Sequence, residues 1–446
     1  MLSAAELMAE HADVDERLDR ARPLTSKHYS REYAELVRRY EGAPIDVSFR
    51  ELVGPLPASE YTHGLFPYPA RLLRHIPRFL LSTDAVVADI DTVFDPFVGS
   101  GTVLLEAQLR GFASVGVEQN PVAALVSRVK VSQDAGARAA TVLAEALAAA
   151  KRRRRAVVPS TLLPRWYAAD VLSALGRLTA VIAECDERDR DLLSLCLALT
   201  ARRMAMTDPR IPVPVKNARN STAAATDVWS QWAKESASIV AKLATLPPQR
   251  PCAEVRTGDA RQNAMWPDAS QASRTLLLTS PPYGAAQKYV RSTSLEAAWL
   301  GHAPQGKTIH LEHSNVGREH LSSKDRELST ANMTSALLRQ ALEAIGEKDA
   351  RRGAIYLAYF TDMQRVFTNA QSVGIRRIAL VSGDNHVAGG VLKTSQHLAD
   401  IVESLGYRRT VSMRDPIRGR TLLTSRKNGA PAPAEYIEIF EKADRD

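Results

Sequence analysis

Short apolar runs that end in polar turns alternate along this chain with longer stretches of helical period. Val93-Phe94 leads through Asp95-Pro96-Phe97-Val98-Gly99-Ser100-Gly101-Thr102 into Val103-Leu104-Leu105-Glu106-Ala107, the pattern of a strand, a glycine-rich turn and an opening helix. Ser114-Val115-Gly116-Val117-Glu118 reads as a second strand ending in an acid, and Val255 to Ala260 as a third, with Asp259 at its end. Thr275-Leu276-Leu277-Leu278-Thr279 is a short buried strand that Pro281 and Pro282 prevent from continuing. Between the second and third strands the period changes. An alanine-rich stretch runs from 135 to 150, then Val171, Leu175, Leu178 and Ile182 mark one face of a helix. Further helices are expected over 191–206 and around Trp229 and Trp232.

The pattern predicts an α/β chain in four parts: an N-terminal extension (1–60), the first part of a sheet domain (61–122), a mostly helical insert (123–250), and the remainder of the sheet domain (251–446). The last part contains a long polar stretch over 285–331. There are no internal repeats.

Composition narrows the classes. With 446 residues and 45% hydrophobic content the chain can build a real core. No apolar stretch has the length of a membrane span and no signal peptide is apparent, so a cytoplasmic protein without membrane contact is expected. The 3 cysteines lack disulfide or metal spacing. His302, His310, His313 and His320 likewise lack a metal-ligand pattern, and no metal is expected. Cys252 follows a proline but precedes its strand, which argues against a nucleophilic thiol. The net charge is +8, which suits a polyanionic partner. Candidates for that contact are the run Lys151-Arg152-Arg153-Arg154-Arg155 and the loops carrying Lys216, Lys288 and Arg291.

Two segments carry chemistry. Glycines at 99 and 101 let the backbone approach a ligand, while the following helix presents unpaired N–H groups to it. Glu118, about twenty residues after Asp95, stands where α/β nucleotide sites hold ribose hydroxyls. Ser280-Pro281-Pro282-Tyr283 fixes a hydroxyl, backbone carbonyls and an aromatic ring at a strand end. Such an array can accept hydrogen bonds from an amino group while the Tyr283 ring stacks on a planar heterocycle.

Asp95 to Thr102 resembles the S-adenosylmethionine motif of amino-group DNA methyltransferases. Ser280-Pro281-Pro282-Tyr283 resembles their catalytic motif in its cytosine-N4 form, and the segment from His63 to Leu72 is similar to a further cofactor motif. Gly389 to Thr394 also looks like this family. The resemblance implies a Rossmann-like, mixed seven-stranded methyltransferase sheet with helices on both faces, and later strands over 354–360, 377–383 and 435–441. It implies S-adenosyl-L-methionine as cofactor, held by Tyr68, Pro69, Asp95, Pro96, Phe97, Gly99, Gly101, Thr102 and Glu118, with Asp259 at the adenine. It further implies methyl transfer to N4 of a flipped cytosine in double-stranded DNA, with a cognate restriction endonuclease as possible partner. Adenine N6 and an RNA amino group stay open as targets. Recognition of the DNA sequence is expected from the insert, from a DNA-facing loop over 285–331, or from both.

Overall fold

The computed structural model describes residues 24–57, 60–69, 71–284, 289–417 and 434–443. Its central sheet is built from β1 (Ile45–Asp46), β2 (Thr92–Asp95), β3 (Ala113–Glu118), β4 (Ala253–Thr257), β5 (Thr275–Thr279) and β6 (Arg377–Ser382). A separate hairpin pairs β7 (Asn385–Val387) with β8 (Gly390–Leu392); β9 (Tyr407–Pro416) and β10 (Ala434–Lys442) complete the sheet. The order is β1-β9-β10-β6-β5-β2-β3-β4. Only β10 runs antiparallel to its neighbours β6 and β9; the other pairs are parallel. This is the expected Rossmann-like α/β sheet, with 8 strands in place of seven. The extra strand is β1, two residues that pair at Ile45↔Met413 and Asp46↔Arg414. A segment that short has no period to read in the sequence.

The sheet is apolar on both faces, as a parallel sheet covered by helices must be. Val93, Leu276 and Leu278 face one core with Phe79 and Ile437, whereas Phe94 and Leu277 face another with Phe360 and Phe367. Leu276, Leu277 and Leu278 are fully buried, each contributing about 2 kcal/mol of transfer free energy. The helix Lys27–Arg39 of the N-terminal part packs into the first of these cores through Tyr29, Tyr33 and Leu36.

Helix α1 (Thr102–Leu109) follows β2. Between β3 and β4 the chain forms α2 (Pro121–Val131), α3 (Ala135–Arg152), α4 (Ala169–Ile182), α5 (Glu187–Met204) and α6 (Ala225–Leu243). Val171, Leu175, Leu178 and Ile182 are all buried. So is Trp232, whose indole N–H donates to the Leu143 carbonyl at 3.0 Å. The core of this layer also takes in Phe66, Tyr68, Leu295 and Trp299, so segments on both sides of the insert pack on it.

One strand expectation fails. Residues 354–360 lie inside α7 (Ala350–Val373). The Asp349 side chain caps its start, and Gly374, at φ +94°, ends it. Tyr356, Phe360, Met363, Phe367 and Ala370 continue the apolar face at helical spacing, which a short window over 354–360 does not reveal.

Candidate functional site

The C-terminal ends of β2, β3, β4 and β5 open onto a cleft of about 850 Å³, its mouth included. Parallel strands with helices on both faces leave their ligand site at this edge. Tyr68, Asp95, Pro96, Phe97, Gly99, Thr102, Glu118, Asp259, Ser280 and Pro282 of the expected site residues line it. Pro69, Gly101, Pro281 and Tyr283 do not, although each is adjacent in sequence to a residue that does.

The glycine turn has its conformation for two reasons. Gly99 and Gly101 adopt φ of +54° and +79°, a region unfavourable to side chains. A Cβ on Gly101 would also lie 3.1 Å from Ser127 Oγ, and that hydroxyl donates to the Gly99 carbonyl at 2.8 Å. The turn is further pinned by Glu118, whose carboxylate accepts the N–H of Gly99 and of Asn120, both at 2.7 Å. Burial pushes the Glu118 carboxyl up to about 7, against the pull of these N–H donors, and the nearby Asp95 adds to the rise.

Asp95 joins the two motifs. Its carboxylate accepts from Thr279 Oγ1 at 2.6 Å and from the Phe97 N–H at 2.9 Å. Thr279 is the last residue of β5 and directly precedes Ser280, so one buried hydrogen bond ties the glycine turn to the second motif. Burial pushes Asp95 up to about 7 despite both donors.

Beyond Ser280 the chain is held by aromatic residues. Tyr356 donates to the Gly284 carbonyl at 3.0 Å, and Tyr283 donates to Glu435 Oε1 at 3.3 Å. Glu435 is there because β10 is antiparallel: its first residues reach the edge where the parallel strands end. Tyr289 lies across from Tyr68, with ring centroids 6.4 Å apart and planes 23° from parallel, and both line the cleft. Asn120 Nδ2 connects the two sides, donating to Tyr68 Oη at 3.4 Å and to Thr293 Oγ1 at 3.3 Å.

Asp259 lines the cleft with its carboxylate already engaged. Arg261 donates to it through Nε at 2.9 Å and Nη2 at 2.7 Å, and the Arg261 N–H adds a bond at 2.9 Å. The same guanidinium reaches Asp362 at 2.9 Å and the Ser314 carbonyl at 2.6 Å. Arg318 bonds to Asp362 and, at 3.1 Å, to Asp325. This ladder fastens the segment around Asn315 and Val316 to the cleft, where both line the wall next to Asp259.

Among its described residues the stretch 285–331, expected to be one DNA-facing loop, is therefore not a single loop. Ser294–Trp299 is a buried helix, Arg318 is buried, and Asn315 and Val316 belong to the cleft. Lys288 lies outside the described residues; Arg291 is exposed. In the basic run, Lys151 and Arg152 end α3, and Lys151, Arg152, Arg154 and Arg155 are exposed, while Arg153 is bonded to Glu184 at 2.8 Å. Lys216 is exposed on a hairpin of the helical layer. Among the described residues no group of three or more His, Cys, Asp and Glu side chains is placed to hold a metal, and no helix is long and apolar enough to cross a membrane.

Sequence reasoning did not single out Asn120, Tyr289, Asn315 or Arg261. The pair Asn120-Pro121 carries a helix-start signature that could have revealed the first. Tyr289 and Asn315 have no local signal, because tertiary contacts bring them to the cleft; Arg261 sits two residues after Asp259, and only the fold adds its bonds to Asp362 and the Ser314 carbonyl.

No family model matches the chain. Part of it is similar to a type II methyltransferase, M.MjaII of Methanocaldococcus jannaschii: 30% identity over 88 residues, 20% of this chain and 16% of that one. Another part-length similarity, 34% identity over 74 residues and 16% of each chain, is to the type II methyltransferase M.MvaI of Kocuria varians. The chain thus matches about a sixth of the length of these curated relatives.

Proposed function

We propose that this chain is an S-adenosylmethionine-dependent DNA methyltransferase. It transfers a methyl group to the N4 amine of a cytosine flipped out of duplex DNA, as the modification partner of a restriction endonuclease. The observation that carries the reading is the Asp95–Thr279 hydrogen bond, which sets a glycine-turn ligand site against Ser280 in one cleft.

The residues of the cleft fit the cofactor. Ser100 Oγ is buried at its edge with no partner among the described residues, and the Glu118 carboxylate is held by two N–H groups with lone pairs to spare. Glu118 would take the ribose hydroxyls, Asp95 and the glycine turn the methionine end, and Tyr68 would cover it. Asp259, locked by Arg261, would meet the adenine through the wall it shares with Asn315 and Val316. The bound sulfonium supplies an electrophilic methyl group.

The other roles belong to the protein. Ser280 Oγ accepts one amino hydrogen of the target base, and a backbone carbonyl of the motif, that of Pro281, accepts the other. The amine lone pair then turns out of the ring plane towards the methyl group. Tyr283, its hydroxyl anchored on Glu435, stacks on the base. Serine at the head of the motif favours cytosine over adenine. Flipping costs a few kcal/mol, which contacts between the basic surface and DNA phosphates offset; Lys151 to Arg155, Lys216, Lys288 and Arg291 are candidates.

Base-resolved modification mapping of DNA from cells expressing the protein tests the reading. N4-methylcytosine in one sequence context is expected; N6-methyladenine would refute the choice of base, and unmodified DNA the activity. Ser280→Ala should lower turnover more than about tenfold while cofactor affinity is kept.

A further inference from the structure

A second concavity backs onto the first. Tyr68 lines the cleft, whereas its neighbour Pro67 lines a hollow of about 760 Å³, mouth included. The end of α5, with Arg202 and Arg203, forms one wall, and a hairpin running from Met206 to Asn217 forms the other. The hairpin is closed by the Asp208 N–H on the Val215 carbonyl at 3.1 Å and the Asn217 N–H on the Met206 carbonyl at 3.0 Å.

This hairpin is stiff. Pro209, Pro212 and Pro214 each fix a φ angle. The Asp208 carboxylate accepts from the N–H of Arg210 at 3.0 Å and from its guanidinium at 3.0 and 2.6 Å. Asn220 Nδ2 ties the base to the carbonyls of Arg203 and Ala205, at 2.8 and 3.1 Å. An element already held in one conformation loses little entropy when it docks.

Its surface is apolar in the middle and basic at the sides. Ile211 and Val215 are 39% and 44% exposed. Lys216, Arg219 and Arg203 are exposed around them. Both acids that line the hollow are taken, Asp208 by Arg210 and Glu296 by Arg202 at 2.6 Å. Lys216 and Arg219 have no ion-pair partner among the described residues, and Arg203 faces Glu235 at 3.5 Å while 60% exposed. Arg202 also donates to the Ser292 carbonyl at 3.2 Å, which fastens the hollow to the segment that carries Tyr289 into the cleft.

Resting on the methyltransferase reading above, we propose that the hairpin is a DNA-gripping element beside the catalytic cleft. Lys216 and Arg219 pair with backbone phosphates, and Ile211 and Val215 make apolar contact with base edges such as the thymine methyl group. Unpaired cations set around an apolar centre match a duplex, which supplies both the phosphates and the apolar base edges.

The test uses full-length protein and two double variants, Lys216→Ala with Arg219→Ala and Ile211→Ser with Val215→Ser. Affinity is measured for a duplex containing the mapped site and for a scrambled one, over a range of NaCl concentrations. Loss of two phosphate contacts should flatten the slope of log K against log salt by about 1.8 and weaken binding about 60-fold at ~0.1 M salt. The apolar variant should keep the slope and lower the ratio of specific to scrambled affinity by about tenfold. All four side chains are exposed or at the surface, so wild-type melting temperatures are expected and show that the variants are folded. Unchanged slopes and ratios, with methyl transfer intact, would overturn the hairpin and leave the methyltransferase standing. Altered binding of a protein but not of DNA would overturn it too. A wild-type chain that neither binds duplex nor transfers a methyl group would remove both.

Discussion

Thr279→Val isolates the bond that joins the two motifs. The substitution keeps shape and removes one hydroxyl from a site where Thr279 is fully buried and Asp95 is 2% exposed. Asp95 would keep the Phe97 N–H and lose the shorter of its two donors. A neutral hydrogen bond contributes about 1 kcal/mol and one to a charged group about 2–3 kcal/mol, and no water replaces the hydroxyl in a buried site. The cost should therefore depend on pH. Asp95 sits at about 7 in the folded chain, raised from its ordinary value by burial. Below that pH the carboxyl is protonated and the loss is about 1 kcal/mol; above it the loss should reach about 2–3 kcal/mol. The sign follows from linkage. The hydroxyl lowers the folded-state pKa, so its removal raises that pKa further, and the variant loses more stability than the wild type as pH rises through 7. Denaturant unfolding at about pH 5 and pH 8.5 reads the difference directly. A destabilisation equal at both pH values, or below about 0.5 kcal/mol at the higher one, would refute a charge-assisted link between the motifs.

Two other outcomes test the cleft. Arg261→Met strips Asp259, Asp362 and the Ser314 carbonyl of their shared donor and leaves buried charge behind, so it should cost about 3–5 kcal/mol in thermal or chemical unfolding. Asp362→Asn added to it should recover part of that loss, and strict additivity would argue against the ladder. Cofactor affinity measured by calorimetry should rise with pH between about 6 and 8 and then level off, because Asp95 and Glu118, both at about 7, accept from the ligand more strongly once ionised. In the unliganded chain the same raised values make stability fall as pH rises from the ordinary carboxylate range, about 4, to about 7 and level off above it; an affinity independent of pH would exclude both carboxylates from binding.

Much of the site was legible because its signals are local. The strand before Ser280 spans Thr275–Thr279 in the structure as in the sequence, and the prolines that stop it leave no other reading. The glycine turn and Glu118 share one cleft for the same kind of reason: a strand, a tight turn and a helix within a short segment constrain each other. The helix over 350–373 was misread where a short apolar window hid a long helical period. The polar stretch after Tyr283 reads in the sequence as one DNA-facing loop. Its Arg318 and Asp325 instead join a ladder with Asp362 and Arg261 from elsewhere in the chain, and pairing of that kind is invisible to composition.

By itself the sequence determined the α/β class and two motifs at strand ends, where a ligand crevice is expected. These follow from periodicity, from proline and glycine geometry, and from the rule that parallel strands open their ligand crevice at one end. Tertiary structure alone decided the rest. The antiparallel course of β10 delivers Glu435 to Tyr283, the helical layer places Asn120 between Tyr68 and Thr293, and Arg261 commits Asp259 and holds Asn315 over the cleft. Apart from the pairing of Arg261 with Asp259 two residues away, those contacts join residues far apart in the chain, and no local preference of either partner specifies them. They exist because packing brings the elements together and a buried charge or hydroxyl must then find a partner.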